Sequence, residues 1–555
     1  MTVEHMKWWG WGREGVGFHF EDKPAFAPFV EHAVGLDLHS APAVDVPSFE
    51  DIDVPASQAP DALLGELRGA IGDEHVVLDD LDRVVHTYGK SIRDLIRVRA
   101  GILPRIPDVV AYPGDEDDVT RIVQVASAAN AVLIPFGGGS NIAGSLEPTA
   151  SETRPIISVD MGRMRLLVDI DEPAQIARIQ AGALGPDLEA QLNAKGWTLG
   201  HFPDSFTHST LGGWVATRSS GMQSDKYGDI AEITRGLRVV RPDGTLVIRA
   251  MPNASTGPSV REMVLGSEGR LGIITEVSVQ VHRVPEERVI HAYFFPRWNV
   301  ALGAMQAIAA SDAAPSITRV SDARETAFSM STSKVRTGTS RILAEEVLPR
   351  IMKSKGWDLD EICMSFIGYE GSPAHVRRQR AAVEKIVKAY GGMGVGTGPG
   401  VLYDQKKFDT PYLRDFLLDR GAVADVSETV APWSRLLELY DATVASANAA
   451  YERIGQPGWI MCHLSHSYHS GACLYFTFAW VAGGDEITEY ETVKSAIQQS
   501  FVDHGGAISH HHGVGFEHAP WLEQDISAEG VTVMRGLFAA SDPQRILNPG
   551  AIVAD

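Results

Sequence analysis

The chain has 555 residues, too many for one hydrophobic core, and 44% of them are apolar, enough to fill two or three domains. A formal net charge of −22 argues against a general nucleic-acid surface and leaves adhesion to an anionic membrane to a local basic patch. Cys363, Cys462 and Cys473 are too few for a disulfide framework and lack Cys-x-x-Cys zinc spacing.

Residues 1–12 carry Lys7 and the Trp8-Trp9-Gly10-Trp11 cluster where a secretory signal needs an apolar run and a small-residue cleavage site. Two readings of these tryptophans stay open, a membrane-facing entrance or a terminus docked on the body. No run of about 18 apolar residues occurs, and the ending Ile552-Val553-Ala554-Asp555 is no peroxisomal address. We expect a cytoplasmic protein with at most peripheral membrane contact. A Pro-rich, acidic stretch over 41–60 reads as a linker, and apolar residues at helical spacing predict helices over 61–71 and 89–98. From residue 104 the pattern becomes α+β: a helix over 117–129, strands over 132–135, 156–160 and 176–181, and a helix over 187–195 stopped by Gly196. A hairpin of 237–241 with 245–249 turns at Pro242-Asp243-Gly244, and an alternating strand over 273–281 closes this part near residue 285. Residues 286–504 read as longer helical runs, 301–310, 376–390 and 433–451, around a few strands such as 473–480.

The stretches that carry chemistry are rich in glycine and histidine. Pro135-Phe136-Gly137-Gly138-Gly139-Ser140-Asn141 follows a short apolar strand, and its glycines let consecutive N–H groups converge on one anion. It is neither a Rossmann fingerprint nor a Walker loop. Downstream stand His201 with Asp204-Ser205, then Ser209-Thr210, Gly212-Gly213 and Thr217-Arg218-Ser219-Ser220-Gly221. A third stretch comprises Gly266-Ser267-Glu268-Gly269 and Gly272-Ile273-Ile274. His510, His511 and His512 cannot all face one way on a strand, so at most two reach one site, and imidazole suits proton transfer near neutrality. Zinc takes ligands from spaced positions, and His463, His466 and His469 would scatter over both faces of a strand, so we expect no metal.

The three glycine-rich stretches, in this order, resemble the flavin-binding domain of the vanillyl-alcohol oxidase and p-cresol methylhydroxylase flavoproteins over residues 101–285. Met6-Lys7-Trp8-Trp9-Gly10-Trp11-Gly12, Arg105-Ile106-Pro107-Asp108, the Asp204-Ser205 and Ser209-Thr210 pair, and Ser509-His510-His511-His512-Gly513-Val514-Gly515 look like the alkyldihydroxyacetonephosphate synthases. That likeness runs from residue 6 to about 540. It implies an α+β fold: an N-terminal helical region and linker (1–100), a two-subdomain FAD-binding domain (101–285), an α+β cap (286–504) and a C-terminal segment (505–555) returning to the flavin.

The resemblance further implies FAD, its pyrophosphate on the first loop, its flavin and adenine ends along the second and third, and His201 near the flavin. Tyr475, in Ala472-Cys473-Leu474-Tyr475-Phe476, is implied as catalytic beside the three histidines, Arg319 as needed for activity and Arg414 as substrate-binding. Relatives with covalent flavin often carry a histidine in the first loop; this chain has none, so we expect dissociable FAD. The implied reaction exchanges the acyl group of acyl-dihydroxyacetone phosphate for a long-chain fatty alcohol, giving an ether-lipid precursor without net redox. We expect a homodimer with no nucleic-acid partner. The alternative is an FAD-dependent dehydrogenase of 2-hydroxy acids such as D-lactate or glycolate, favoured by Leu547-Asn548-Pro549-Gly550. Against it, the Glu-His-Gly segment of those relatives is here His511-His512-Gly513.

Overall fold

The computed structural model describes residues 3–334, 346–406, 408 and 410–554; Met1, Thr2 and Asp555 of the termini read above lie outside them. The helix Asp61–Ile71 buries Leu63, Leu64, Leu67 and Ile71 and packs on the helix Glu116–Ala129. The second helix begins where the Asp115 carboxylate accepts the Asp118 N–H at 2.8 Å, and it stops at Asn130 in the left-handed region. Beside this pair lies a sheet of β1 (Val76–Val77), β2 (Val109–Ala111), β3 (Val132–Phe136) and β4 (Ile156–Asp160). Its order is β1-β2-β4-β3, parallel except for β1. The glycine run leaves the C-terminal end of β3, where parallel strands characteristically present a ligand site.

An antiparallel sheet follows, built from β5 (Leu167–Asp171), β6 (Ile176–Gln180), β8 (Thr234–Arg241), β9 (Gly244–Ile248) and β10 (Ile273–Gln280) in the order β5-β6-β10-β8-β9. Between them β7 (Trp197–Thr198) pairs with β11 (His282–Arg283). The hairpin and the strand over 273–281 form as the sequence predicts, because turn chemistry and alternation are local signals.

In the remainder the three expected helices and the strand over 473–480 form within a few residues, but the sheet is larger than expected. It has seven antiparallel strands in the order β15-β12-β14-β13-β17-β18-β16. Its strands are β12 (Glu287–Phe295), β13 (Ile317–Ser321), β14 (Cys363–Gly371), β15 (Met393–Gly396), β16 (Ala422–Pro432), β17 (Gly458–Ser467) and β18 (Gly471–Val481). The reason is burial: β14 and most of β16 are covered on both faces, so they show no alternation to read. The helices Trp298–Ala309, Pro373–Ala389, Leu436–Ile454 and Glu486–Asp503 cover one face through a core that includes Tyr369, Phe476, Phe478 and Trp480. The other face is left for the site.

The N-terminal tryptophans dock on the body. Trp8 and Trp11 are buried, Lys7 pairs with Asp415 at 3.2 Å, and the Trp11 N–H donates to the same carboxylate at 2.7 Å. The helix Phe26–Val34, which no spacing had singled out, packs against β17 and β18. Among the described residues no helix is long and apolar enough to cross a membrane.

Candidate active site

Successive side chains on a strand alternate faces, so register decides which residues meet. Across three neighbouring strands His463 opposes Tyr475 and Tyr475 opposes Glu428, while Ser321 of β13 opposes His463. These residues and Arg319, two positions back on β13, share the face away from the helices. The helix Ala323–Ser331 then supplies Glu325, whose carboxylate lies 2.7 Å from Arg319 Nη2 and 2.8 Å from His463 Nδ1. Burial opposes ionisation of Glu325, but the charges of His463 and Arg319 hold its carboxyl down at about 2. The Arg319 guanidinium is correspondingly held charged: burial opposes this, and Glu325 outweighs it. Tyr475 is flanked by imidazoles, His463 stacked at 4.9 Å, His511 stacked at 5.9 Å and His512 edge-on at 5.5 Å. Burial, with the charges of Asp204 and Glu428, pushes its phenol well up, so it is neutral at physiological pH.

The three histidines lie on an irregular loop rather than a strand. What shapes the loop is Glu428, buried at the end of the row. Its carboxylate accepts the N–H groups of His510 (2.6 Å), His511 (3.0 Å) and His512 (3.0 Å) and the Ser509 hydroxyl (2.8 Å). Wrapping the backbone around one anion fans the rings outward: His511 and His512 line the cavity described below, and His510 sits behind them. Burial pushes His511 well below the ordinary imidazole value and His512 to about 4, so both are neutral. The far end of the loop is gripped by Glu268, which accepts from Val514 (2.6 Å), Gly515 (2.9 Å) and the Ser145 hydroxyl (2.9 Å).

Arg414 comes from the helix Thr410–Leu418 and pairs with Asp425 of β16 at 3.3 Å, its side chain 11% exposed. Glu325, Glu428, Asp425 and Glu268's partner Ser145 were not singled out from sequence. A weak signal existed for three of them: Glu325 has capping-box spacing from Asp322, and Asp425 and Glu428 interrupt an apolar run.

Arg319, Glu325, His463, Tyr475, His511, His512, Arg414 and Asp425 line one cavity of about 1820 Å³, with Glu428 and His510 behind its wall. The first loop lines it through Pro135, Gly137, Gly138, Gly139, Ser140 and Asn141. Asp204, Ser205, Ser209, Thr210 and Gly213 line it too, as do Thr217, Ser219, Ser220, Glu268 and Gly269. A Cβ on Gly138 would lie 1.8 Å from the His208 carbonyl oxygen, so only glycine lets the two loops close on each other. A backbone cradle with hydroxyls around it, opening into a chamber of this size, fits the pyrophosphate and rings of FAD.

Other expected positions do not reach the cavity. The Phe136 ring packs on His86 at 4.2 Å, and Gly212 packs on Ala181. His201 is buried, with Nε2 2.8 Å from the Ser219 hydroxyl, and Gly221 packs against its backbone. Arg218 turns outward to Glu262 at 3.2 Å and Gly266 lies against its side chain. Ser267 accepts the turn N–H of Arg270, Gly272 approaches Val240, and Ile273 and Ile274 are core residues of β10. Asn548 ties the first and third loops together, its amide donating to the carbonyls of Ser145 (3.0 Å) and Glu268 (2.7 Å).

Residues 107–249 match the family described as FAD binding domain, and residues 284–552 match FAD linked oxidases, C-terminal domain. A solved p-cresol methylhydroxylase superposes with a TM-score of 0.65 at 14% identity over 91% of this chain and 99% of its own. Fold and loops thus define an FAD-binding protein of the FAD-linked oxidase class. The alkyldihydroxyacetonephosphate synthase of Dictyostelium discoideum is 39% identical over 518 residues, covering 93% of this chain and 84% of its own length. A solved alkyldihydroxyacetonephosphate synthase superposes with a TM-score of 0.85 at 35% identity over 98% of both chains. The chain belongs to the alkyldihydroxyacetonephosphate synthase family.

Proposed function

We propose that the chain exchanges the acyl group of acyl-dihydroxyacetone phosphate for a long-chain fatty alcohol, forming an ether without net redox on non-covalent FAD. The observation that carries this reading is the union, in one cavity, of glycine loops, a row of imidazoles and guanidinium, and apolar walls. The walls include Phe29, Val30, Phe328, Leu417 and Trp459 on one side and Phe294, Met364 and Phe366 on the other. A 2-hydroxy acid has no chain for such walls to hold; an acyl or alkyl tail does.

When bound, FAD supplies a ring system able to hold and release carbon while ending in its starting redox state. The chain's residues do the rest. Arg414, oriented by Asp425, takes the substrate phosphate, a group a guanidinium fork fits well. Arg319, fixed by Glu325, stands over the reacting carbonyl end as a permanent cation. Tyr475 acts as a neutral hydrogen-bond donor, and a cavity-lining imidazole takes the proton from C1. We further propose the four-part division at residues 100, 285 and 504, and a cytoplasmic homodimer touching membranes peripherally, which vesicle flotation and sedimentation test.

The test is to incubate FAD-loaded protein with palmitoyl-dihydroxyacetone phosphate and labelled hexadecanol. Label in an ether-linked phosphate product, with fatty acid released, supports the reading. Its absence from well-folded, flavin-loaded protein refutes it. In the same assay Arg414→Met is expected to raise KM roughly 10- to 100-fold, with Lys restoring part.

A further inference from the structure

Tyr468 and Asp229 belong to none of the motifs above. The Tyr468 hydroxyl, at the end of β17, lies 2.7 Å from Asp229 Oδ2 and 2.5 Å from His510 Nε2. His510 Nδ1 lies 2.8 Å from His511 Nδ1. His511 lines the cavity, and Asp229, half-buried, precedes the short helix Ile230–Ile233. A continuous line of hydrogen bonds therefore joins the cavity to the edge of the protein.

The line has a direction. An ionised carboxylate only accepts, so the Tyr468 O–H points to Asp229. His510 Nε2 must then donate to the Tyr468 oxygen, which in a neutral imidazole leaves Nδ1 bare. That nitrogen accepts from His511 Nδ1–H, and the remaining nitrogen of His511, Nε2, is left without a proton. Asp229 accepts at both oxygens, from the Ser220 hydroxyl at Oδ1 and from Tyr468 at Oδ2, the arrangement of an ionised carboxylate.

We propose that Asp229, Tyr468, His510 and His511 form a proton relay in which His511 Nε2 takes the substrate proton and Asp229 stores it. The inference rests on the synthase reading. In balance, His511 gains a proton at Nε2 and passes its Nδ1 proton to His510. His510 passes its Nε2 proton to the Tyr468 oxygen, and Tyr468 passes its own to Asp229. All three rings end neutral and one carboxylate becomes a carboxylic acid. An imidazolium in the buried cavity is thereby avoided, a state that the surroundings of His511 disfavour. Glu428 from β16, His466 from β17, Tyr475 from β18 and His512 on the same loop face the relay without breaking its order. His466 is already engaged, Nε2 with the Gly221 carbonyl at 3.0 Å and Nδ1 with the Ser465 hydroxyl at 2.8 Å. Tyr468 and Asp229 act through His511 and are positioning residues.

The test combines imidazole ¹⁵N NMR of the FAD-loaded protein with kinetics of Asp229→Asn and Tyr468→Phe. The expected resting tautomers are Nδ1–H on His511 and Nε2–H on His510. Asp229→Asn keeps an acceptor for Tyr468 but cannot store the proton, so kcat falls roughly 100-fold with KM within about twofold. The proton inventory in mixed light and heavy water, curved in the wild type, becomes linear. Tyr468→Phe also releases the tautomer order. Variants that keep kcat within about twofold, or a wild-type His511 protonated at Nε2, overturn the relay. Wild-type protein that makes no ether product overturns the synthase reading instead, while the tautomers still decide whether the relay is oriented as drawn.

Discussion

The loop 509–515 is held at each end by a buried glutamate, and the two differ in how firmly they are ionised. Glu428 faces three imidazoles as well as three backbone N–H groups, and although burial opposes ionisation these hold it well below its ordinary value. Glu268 faces N–H groups and a hydroxyl, and burial prevails, raising it to about 7. Donor number is similar at the two ends; nearby rings able to carry positive charge exist at only one. Hydrogen bonds place both carboxylates; at the cap-side end the imidazoles, neutral near pH 7, would take up positive charge on acidification and so keep Glu428 ionised. The cap-side end is thereby a fixed anion that organises imidazoles, and the flavin-side end is close to titrating.

Removing the fixed anion should have the largest effect. Glu428→Gln removes the charge and turns one of the two acceptor oxygens into an NH2 that faces loop N–H groups, so chemical denaturation should show a loss of about 3–5 kcal/mol and kcat should fall roughly 100-fold. A variant as stable and active as the wild type would erase the distinction between the two ends.

Glu268→Gln should act in the opposite direction, with an effect that grows from about pH 4.5 and is full above about pH 7. The folded value lies above the ordinary 4.5, so the stability associated with the neutral form is present below 4.5 and lost as pH rises through about 7. Glutamine is neutral throughout. The variant's Tm should match wild type near pH 5 and exceed it at pH 8, by the equivalent of about 2–3 kcal/mol in the flavin-free protein. Equal Tm differences at both pH values would show that Glu268 does not titrate there. The smallest effect belongs to Ser145→Ala, which removes one donor to Glu268 and should cost about 1 kcal/mol in denaturant titration, more above pH 7 than below.

Sequence patterns reveal one side of this site better than the other. The glycine run, the Pro242-Asp243-Gly244 hairpin and the strand over 273–281 announce themselves through local backbone chemistry. The row of Arg319, His463, Tyr475 and Glu428 does not, because its members are distant in sequence and meet only through the register of β13, β17, β18 and β16. Glu428 looks like one of 71 acidic residues until its strand is paired. Tyr475 and the histidines were found through family likeness, whereas Tyr468 and Asp229 have no motif at all. His201 and Arg218 stand one step back from the cavity: His201 is tied to Ser219, which lines it, and Arg218 is turned to Glu262.

The central claim is that this flavoprotein exchanges groups without net redox. The most direct measurement follows the flavin absorbance anaerobically while acyl-dihydroxyacetone phosphate and fatty alcohol, or separately D-lactate and glycolate, are added. The account predicts ether product with the flavin returned to its oxidised spectrum, and no bleaching by either hydroxy acid. Stoichiometric bleaching by a hydroxy acid, with no ether formed from the lipid substrates, would contradict it.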